Sequence, residues 1–141
     1  AETGHLVLTA MYTNDATETI TRLVEVFEPH RHHQIRLRIA RNLKAVVSQR
    51  LVATADGNGR LPAAEVLTET DRTFEYVMDS ELTPKLEEVM AEGAYYGMRT
   101  FDQCLLQYFR DGVISFEEAL SNASHPNDFR MAAQKTGLRT A

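Results

Sequence analysis

The sequence has little of what stabilises or anchors many small proteins. Cys104 is the single cysteine among 141 residues, so neither an intrachain disulfide nor a cysteine-based zinc site is possible. No apolar run approaches the ~20 residues of a membrane-spanning helix. No basic start followed by an apolar core indicates a signal peptide. We therefore expect a cytosolic protein that is held together by a hydrophobic core and does not span a membrane.

A phosphate-binding loop is also missing, because the pattern G-x-x-x-x-G-K-[ST] occurs nowhere. Such a loop holds the phosphates of a nucleotide together with Mg²⁺. We expect no ATP or Mg²⁺ on this chain alone, and no ATP hydrolysis by it. The segment 30–33, with three histidines and an arginine, predicts a polar helix entrance rather than a metal site. Sequential neighbours on a helix point in different directions, and no histidine pair at the i, i+4 spacing accompanies them.

Composition and charge describe a soluble globular protein with an uneven charge distribution. Hydrophobic residues make up 43% and charged residues 25% of the chain. Residues 1–68 carry eight basic and seven acidic residues, whereas residues 69–141 carry seven and thirteen. This shift predicts a domain boundary near residue 68. The acidic second half, and arginines around residues 31–44 without interleaved aromatics, argue against a nucleic-acid partner.

The first half reads as alternating strand and helix. Residues 5–11 are largely apolar and predict a buried strand. Asp15 and Glu18 have the spacing of a reciprocal helix cap, and Pro29 should end the helix that follows. A second helix is expected from after His30 to about residue 48. The turn signal at residues 56–59 then predicts a β-hairpin between strands at 49–52 and 60–67.

The second half reads as entirely helical, with cap signals and glycine stops separating the helices. Three pairs of residues predict helix starts, and Gly93 and Gly112 predict helix ends. The pairs are Thr83 with Pro84, Thr100 with Gln103, and Ser115 with Glu118. A last helix is expected at residues 127–136, followed by a frayed tail at 137–141.

Several landmarks across residues 3–130 carry a family resemblance. They are the segments Thr3-Gly4-His5-Leu6-Val7, Tyr12-Thr13-Asn14, NLKAVVSQRL at 42–51 and GMRTFDQ at 97–103. In this order they resemble the C-terminal half of the PilT/PilU class of twitching-motility ATPases, and the last two look closer to the PilU-like paralogue. The resemblance implies an α/β fold. It consists of the C-terminal part of a RecA-like sheet with packed helices at residues 1–68 and a small all-helical domain at 69–141.

The same resemblance implies a subunit of a hexameric motor that retracts type IV pili. Such a motor would bind ATP and Mg²⁺ through parts of a parent protein that precede the matching region. Its partners would be identical subunits in the ring, the inner-membrane platform protein of the pilus and a paralogous motor ATPase, at the cytoplasmic side of the pilus base. Two alternatives stay open: a non-catalytic interaction module of the motor, and a related assembly or secretion ATPase. A single cysteine argues against the second, because those relatives typically carry a four-cysteine zinc site.

The first landmarks resemble the family's histidine box and supply its candidate site residues. His5 and Tyr12 stand where the family usually has two histidines, the second near the terminal phosphate of the nucleotide. A phenol can donate a hydrogen bond but cannot become a cation near neutrality, as an imidazole can. Thr13 is either a helix cap or a phosphate-side hydroxyl. Arg22 matches the arginine of the box, which implies a salt bridge that positions subunits; otherwise it is a solvated arginine. His5 is otherwise a structural histidine.

Overall fold

The computed structural model describes residues 1–137, which form seven α-helices and one two-stranded sheet. In chain order these are α1 (Ala16–Glu25), α2 (His32–Asn42), β1 (Ala45–Ala53), β2 (Arg60–Thr68), α3 (Asp71–Met78), α4 (Leu86–Glu92), α5 (Phe101–Arg110), α6 (Phe116–Asn122) and α7 (Pro126–Gln134). Short 3₁₀ turns lie at Pro29–Arg31, Thr83–Lys85 and Ala94–Tyr96. Strands and helices occur together as predicted, so the α/β fold class is confirmed. Among the described residues, the helices are too short and too polar to cross a bilayer.

The first compact unit combines Ala1–Ser48 with Val66–Met98. Its core is built by one apolar face each of α1, α3 and α4, together with single positions of the two strands. The fully buried members include Ile20, Leu67, Val77, Leu86 and Met90. Burying such side chains contributes roughly 1.5–3 kcal/mol each relative to exposure. This unit contains all the candidate site residues.

The second compact unit combines Gln49–Glu65 with the chain from Arg99 onward. Its core is formed by α5, α6 and α7 around the fully buried ring of Phe101. The guanidinium of Arg50 lies 3.9 Å from the centre of that ring and donates to the carbonyl oxygen of Asn122 across 2.8 Å. One arginine thus holds β1 to α5 and to the end of α6. As expected from its helical spacing, Cys104 is buried in this core.

The two units alternate along the chain, because each strand of the hairpin begins in one unit and ends in the other. They therefore do not coincide with the segments 1–68 and 69–141 predicted from charge and element type. That division, with its assignment of a RecA-like part and a helical domain, stays a prediction. From residue 138 onward, the predicted frayed tail lies outside the described residues.

The predicted buried strand at residues 5–11 is wrong for this chain. These residues form no sheet ladder, and Leu6, Val7 and Leu8 are 77%, 59% and 87% exposed. A strand needs a neighbouring strand to pair its backbone N–H and C=O groups. Within residues 1–137 the two strands present pair with each other, and neither lies beside this segment. The apolar run is therefore extended and uncovered.

The second helix ends six residues earlier than predicted. Helix α2 stops at Asn42, and β1 begins at Ala45. Val46 and Ser48 are buried in β1 while Val47 and Gln49 are exposed, which is the alternation of a strand. Pairing with β2 overrides the helical spacing of the apolar residues. The hairpin itself and its turn are confirmed.

Most of the predicted helix caps are confirmed. The Thr100 side chain accepts from the N–H of Gln103 while the Gln103 side chain accepts from the N–H of Thr100, a complete capping box. Ser115 caps α6 in the simpler way, by accepting from the N–H of Glu118. The cap at Thr83 is wrong. Its hydroxyl lies 2.9 Å from the carbonyl oxygens of Tyr76 and Asp79, so it closes the end of α3 instead of starting α4.

Candidate functional site

The turn at residues 12–14 is fastened to the first turn of α1 by carboxylates. Asp15 is the N-cap of α1, and its side chain accepts from the N–H of Glu18 across 2.7 Å. Glu18 in turn accepts from both the N–H and the side-chain amide of Asn14, across 2.8 and 2.9 Å. The predicted cap at Asp15 is therefore confirmed. The Glu18 carboxylate of the predicted reciprocal cap, however, binds Asn14, one residue before the N-cap.

Arg22, in the next turn of the helix, adds two further contacts that hold this turn in place. Its guanidinium pairs with the carboxylate of Glu18 at 2.7 Å and donates to the carbonyl oxygen of Tyr12 across 3.1 Å. The pKa of Glu18 is held below its usual range, first by the N–H of Asn14 and further by the nearby arginine. Glu18 thus stays charged at neutral pH and links the turn to Arg22.

Thr13 faces the helix through a chain of hydroxyl groups. Its Oγ1 lies 2.7 Å from the Oγ1 of Thr19, and the Thr19 hydroxyl donates to the carbonyl oxygen of Asp15 across 2.8 Å. Because the Thr19 proton is used at Asp15, the Thr13 hydroxyl is the donor between the two threonines. Thr13 supports the capped start of α1 without being the N-cap itself.

The two remaining candidates project away from this network. The Tyr12 side chain is 99% exposed, although its carbonyl oxygen is held by Arg22. His5 is exposed, and its Nδ1 lies 3.2 Å from the hydroxyl of Thr3. The structure brings Tyr12, Thr13 and Arg22 together at the start of α1 and leaves His5 on the uncovered segment before them.

These residues do not by themselves form a nucleotide or metal site. Tyr12 and His5 are open to solvent, and the Thr13 hydroxyl is engaged with Thr19. Across residues 1–137, no three histidine, cysteine or acidic side chains are grouped closely enough to hold a metal ion.

The structural role of Arg36 was not predicted from the sequence, where it is one of the arginines around residues 31–44. Arg36 instead reaches α3, where it donates to the carbonyl oxygen of Val77 and to the hydroxyl of Thr83, each across 2.8 Å. The one available signal was helical spacing, since Arg36 follows the buried Ile35 by one residue and lies beside the apolar face. This contact joins the second helix to the end of the third.

An apolar cavity of about 500 Å³ lies between α1 and α2 in the same unit. Its walls are formed by Leu23, Phe27, Ile35 and Ile39, and its rim includes Arg31 and Arg38. The first residues of the chain also line it, and the Glu2 carboxylate lies 3.5 Å from the Arg38 guanidinium. The cavity contains none of the four candidate residues.

Comparison with known proteins finds similarity along nearly the whole chain. The family model described as type II/IV secretion system protein matches residues 1–134. The type IV pilus ATPase PilU of Pseudomonas aeruginosa is 39% identical over 131 residues, which cover 93% of this chain and 34% of that protein. The type IV pilus retractation ATPase PilT of the same organism is 33% identical over 129 residues, which cover 92% of this chain and 37% of that protein.

A solved structure is also similar to this chain in three dimensions. The crystal structure of the pilus retraction motor PilT with bound ADP matches with a TM-score of 0.79 at 28% sequence identity. The match covers 93% of this chain and 36% of that one. This chain thus spans about a third of the length of the curated relatives it matches.

Proposed function

The chain belongs to the type II/IV secretion system protein family and is of its PilT/PilU type, and from this we propose that it serves as part of a motor ATPase that retracts type IV pili. ATP binding and hydrolysis, with Mg²⁺, would be properties of a longer protein that includes these residues. The ADP bound by the similar PilT structure supports a nucleotide ligand for such a protein. The higher identity to PilU than to PilT favours a PilU-like motor.

The observation that carries this proposal is the anchored turn before α1. Arg22 and Glu18 fix the backbone of Tyr12 and Asn14 to a capped helix, while the Tyr12 phenol stays free to meet a ligand. A rigid scaffold that presents an exposed side chain suits a site completed by another part of the protein. We assign Tyr12, Thr13 and His5 to the nucleotide-facing side of that site.

We also propose that Arg22 forms a salt bridge that positions neighbouring subunits. Its side chain is 53% exposed even while it is paired with Glu18, so it can reach an additional carboxylate. The assembly would be a hexameric ring of identical subunits on the cytoplasmic side of the inner membrane. The platform protein of the pilus and a paralogous motor ATPase would be its further partners.

Exchange of the residue at position 12 in the longer motor protein tests the assignment. Tyr12→His restores a group that can carry positive charge near a phosphate, so we expect ATP turnover to rise, whereas Tyr12→Ala should lower it. Tyr95→His is the matched control, because Tyr95 is 92% exposed and its ring contacts Tyr96 rather than the anchored turn. Unchanged turnover in both Tyr12 variants would remove position 12 from the site, and loss of turnover in Tyr12→His would show that the phenol has its own role.

A non-catalytic interaction module is the second candidate, favoured by the open surroundings of His5 and Tyr12. In this case residues 1–141 act only through contacts with partner subunits. Calorimetric titration of the 141-residue chain with MgATP can exclude the second candidate. Tight binding would exclude the non-catalytic module, while no binding is expected if a second part of the protein completes the site.

A further inference from the structure

The turn between β1 and β2 contains an asparagine followed by a glycine, Asn58–Gly59. In such a pair the backbone nitrogen of the glycine can attack the side-chain carboxamide of the asparagine, because glycine has no side chain to crowd the ring that forms. Both residues are exposed to solvent. A Cβ added at Gly59 would meet no atom within 4 Å, so the surroundings leave room for this reaction.

The hydroxyl of Thr54 and the carboxylate of Asp56 hold the two groups that would react. The N–H of Gly59 donates to Oγ1 of Thr54 across 3.2 Å. The side-chain amide of Asn58 donates to the Asp56 carboxylate across 3.1 Å. Hydrogen bonds of this kind contribute modestly to stability. The pair can therefore be freed by opening of the exposed turn, without unfolding of the core.

The neighbouring pair Asp56–Gly57 has the same spacing but a different reactivity. The pKa of Asp56 is held below its usual range, first by the hydroxyl of Thr54 and then by the N–H of Asn58. Asp56 is therefore a carboxylate at neutral pH, and a carboxylate resists attack by a nucleophile. The N–H of Gly57 is also engaged, since it donates to the carbonyl oxygen of Thr54 across 3.0 Å. Asn58 is thus the reactive residue of the turn.

The other asparagines of the chain lack this combination. Each is followed by a residue that carries a side chain, and each lies in a helix or beside a helix start. The side-chain amides of Asn42 and Asn122 donate to carbonyl oxygens one helical turn earlier. These four residues are internal controls for Asn58: Asn14, Asn42, Asn122 and Asn127.

We propose that Asn58 is a site of spontaneous deamidation, restrained by Thr54 and Asp56. The backbone nitrogen of Gly59 bonds to Cγ of Asn58, the Cγ–Nδ2 bond breaks, and the Gly59 proton leaves with that nitrogen as ammonia. Water then opens the cyclic imide. Attack at Cγ gives aspartate, and attack at the backbone carbonyl carbon gives isoaspartate. This inference stands apart from the motor assignment, because it uses none of the residues of the anchored turn.

The two products affect the hairpin differently. Aspartate leaves the backbone unchanged and places a second carboxylate beside Asp56. Isoaspartate adds a methylene group to the backbone inside the turn that Thr54 closes by donating its N–H to the carbonyl oxygen of Gly59 across 3.0 Å. The next N–H, of Ala55, donates to the carbonyl oxygen of Val113 across 2.8 Å. Isoaspartate should therefore loosen both the turn and its attachment to the segment between α5 and α6.

Ageing of the 141-residue chain in mildly alkaline buffer, followed by tryptic peptide mapping with mass spectrometry, tests the proposal. Trypsin releases residues 51–60 as a peptide whose one asparagine is Asn58. We expect a mass change from amide to carboxyl at residue 58, in aspartate and isoaspartate forms that separate by chromatography. The four control asparagines should stay intact. Isomerisation of Asp56 would leave the mass unchanged and is thereby distinguished.

A comparison of folded and unfolded chain measures the restraint. In guanidinium chloride the reaction at Asn58 should be roughly tenfold faster or more, because two hydrogen bonds no longer hold the pair. Thr54→Val removes the hydroxyl and should accelerate the reaction in the folded chain by about threefold or more. Thr54→Ser keeps the hydroxyl and is the matched control, with an unchanged rate. Circular dichroism checks that both variants are folded.

Deamidation of Asn58 no faster than that of Asn122 in the folded chain would overturn the site. Equal rates in the folded and unfolded chain would overturn the restraint, and this comparison stands even if Thr54→Val does not fold. Asn58→Asp supplies the aspartate product alone. The isoaspartate fraction of the aged chain should unfold at a lower temperature than this variant, and an equal temperature would contradict the loosening of the turn.

Discussion

Arg22 holds the carbonyl oxygen of Tyr12 across 3.1 Å, although ten residues separate the two along the chain. The same guanidinium pairs with Glu18, which binds the Asn14 backbone. The position of residue 12 is therefore set by its backbone, and its side chain contributes nothing to holding the turn. Replacement of the phenol should change the chemistry of the turn without changing its shape.

The titration of Glu18 reports directly on this network. Its pKa is lowered by the N–H of Asn14 first and by Arg22, so the folded state favours the carboxylate. The resulting stabilisation is present above the ordinary carboxyl pKa and is lost as the pH falls through the lowered value. Carboxyl NMR should therefore show Glu18 titrating below the ordinary glutamate pKa.

Arg22→Met is the variant that checks the cause of that shift. It removes the arginine but leaves the Asn14 N–H in place, so the pKa of Glu18 should rise part of the way back. A Glu18 carboxyl that titrates with the ordinary glutamate pKa in the unaltered chain would contradict the network.

Arg36→Met should destabilise the chain by about 2 kcal/mol, because it removes two hydrogen bonds from a charged donor. The Thr83 side chain is buried and Val77 is fully buried, so water cannot easily replace the lost donor. Arg41→Met is the control on the same helix, and it should change the unfolding free energy by less than about 0.5 kcal/mol. Urea denaturation at low protein concentration measures both, and equal effects would refute the inward role of Arg36.

Gly93→Ala should be destabilising through crowding rather than through backbone strain. An added Cβ would lie 2.6 Å from the Met98 sulfur and 2.9 Å from its Cβ, inside normal contact distance. Overpacking of this kind costs roughly 1–3 kcal/mol. Gly59→Ala, where a Cβ meets open space, is the control and should be neutral or slightly stabilising. Thermal unfolding of the two variants measures the difference in stability. A Gly93→Ala protein as stable as the Gly59→Ala control would contradict the close packing of Gly93 against Met98.

Thr100→Ala removes half of the capping box of α5 and should cost about 1 kcal/mol. Thr100→Ser keeps an oxygen that accepts from the Gln103 N–H, so it should retain most of that stability. Denaturant unfolding followed by circular dichroism measures the difference. Equal losses in both variants would attribute the effect to the buried methyl group rather than to the cap.

Features that depend on contacts between residues close together in the sequence were predictable from it. The cap at Asp15 and the hairpin turn depend on hydrogen bonds that span only a few residues, as does the capping box at Thr100. The α/β class followed because such local signals alternate along the chain. Helix ends marked by Gly93 and Gly112 were found for the same reason.

Features decided by distant partners were not predictable in the same way. The apolar positions at 45–48 fit a helix or a strand, and pairing with β2 selects the strand. Residues 5–11 have the composition of a strand but no strand beside them in this chain. The inward turn of Arg36 depends on Thr83, which is 47 residues away. For the site, the family pattern located Tyr12 and Arg22, but their contact through a backbone carbonyl has no sequence signature.

The alternation of the two compact units also fixes an order of events during synthesis. The first unit needs residues up to Met98, and the second unit begins at Gln49, inside that span. During synthesis, residues 1–48 can complete their unit only after residues 66–98 have been made. A protease that cuts once cannot separate the residues of one unit from those of the other, because the chain passes between the units three times, after Ser48, Glu65 and Met98.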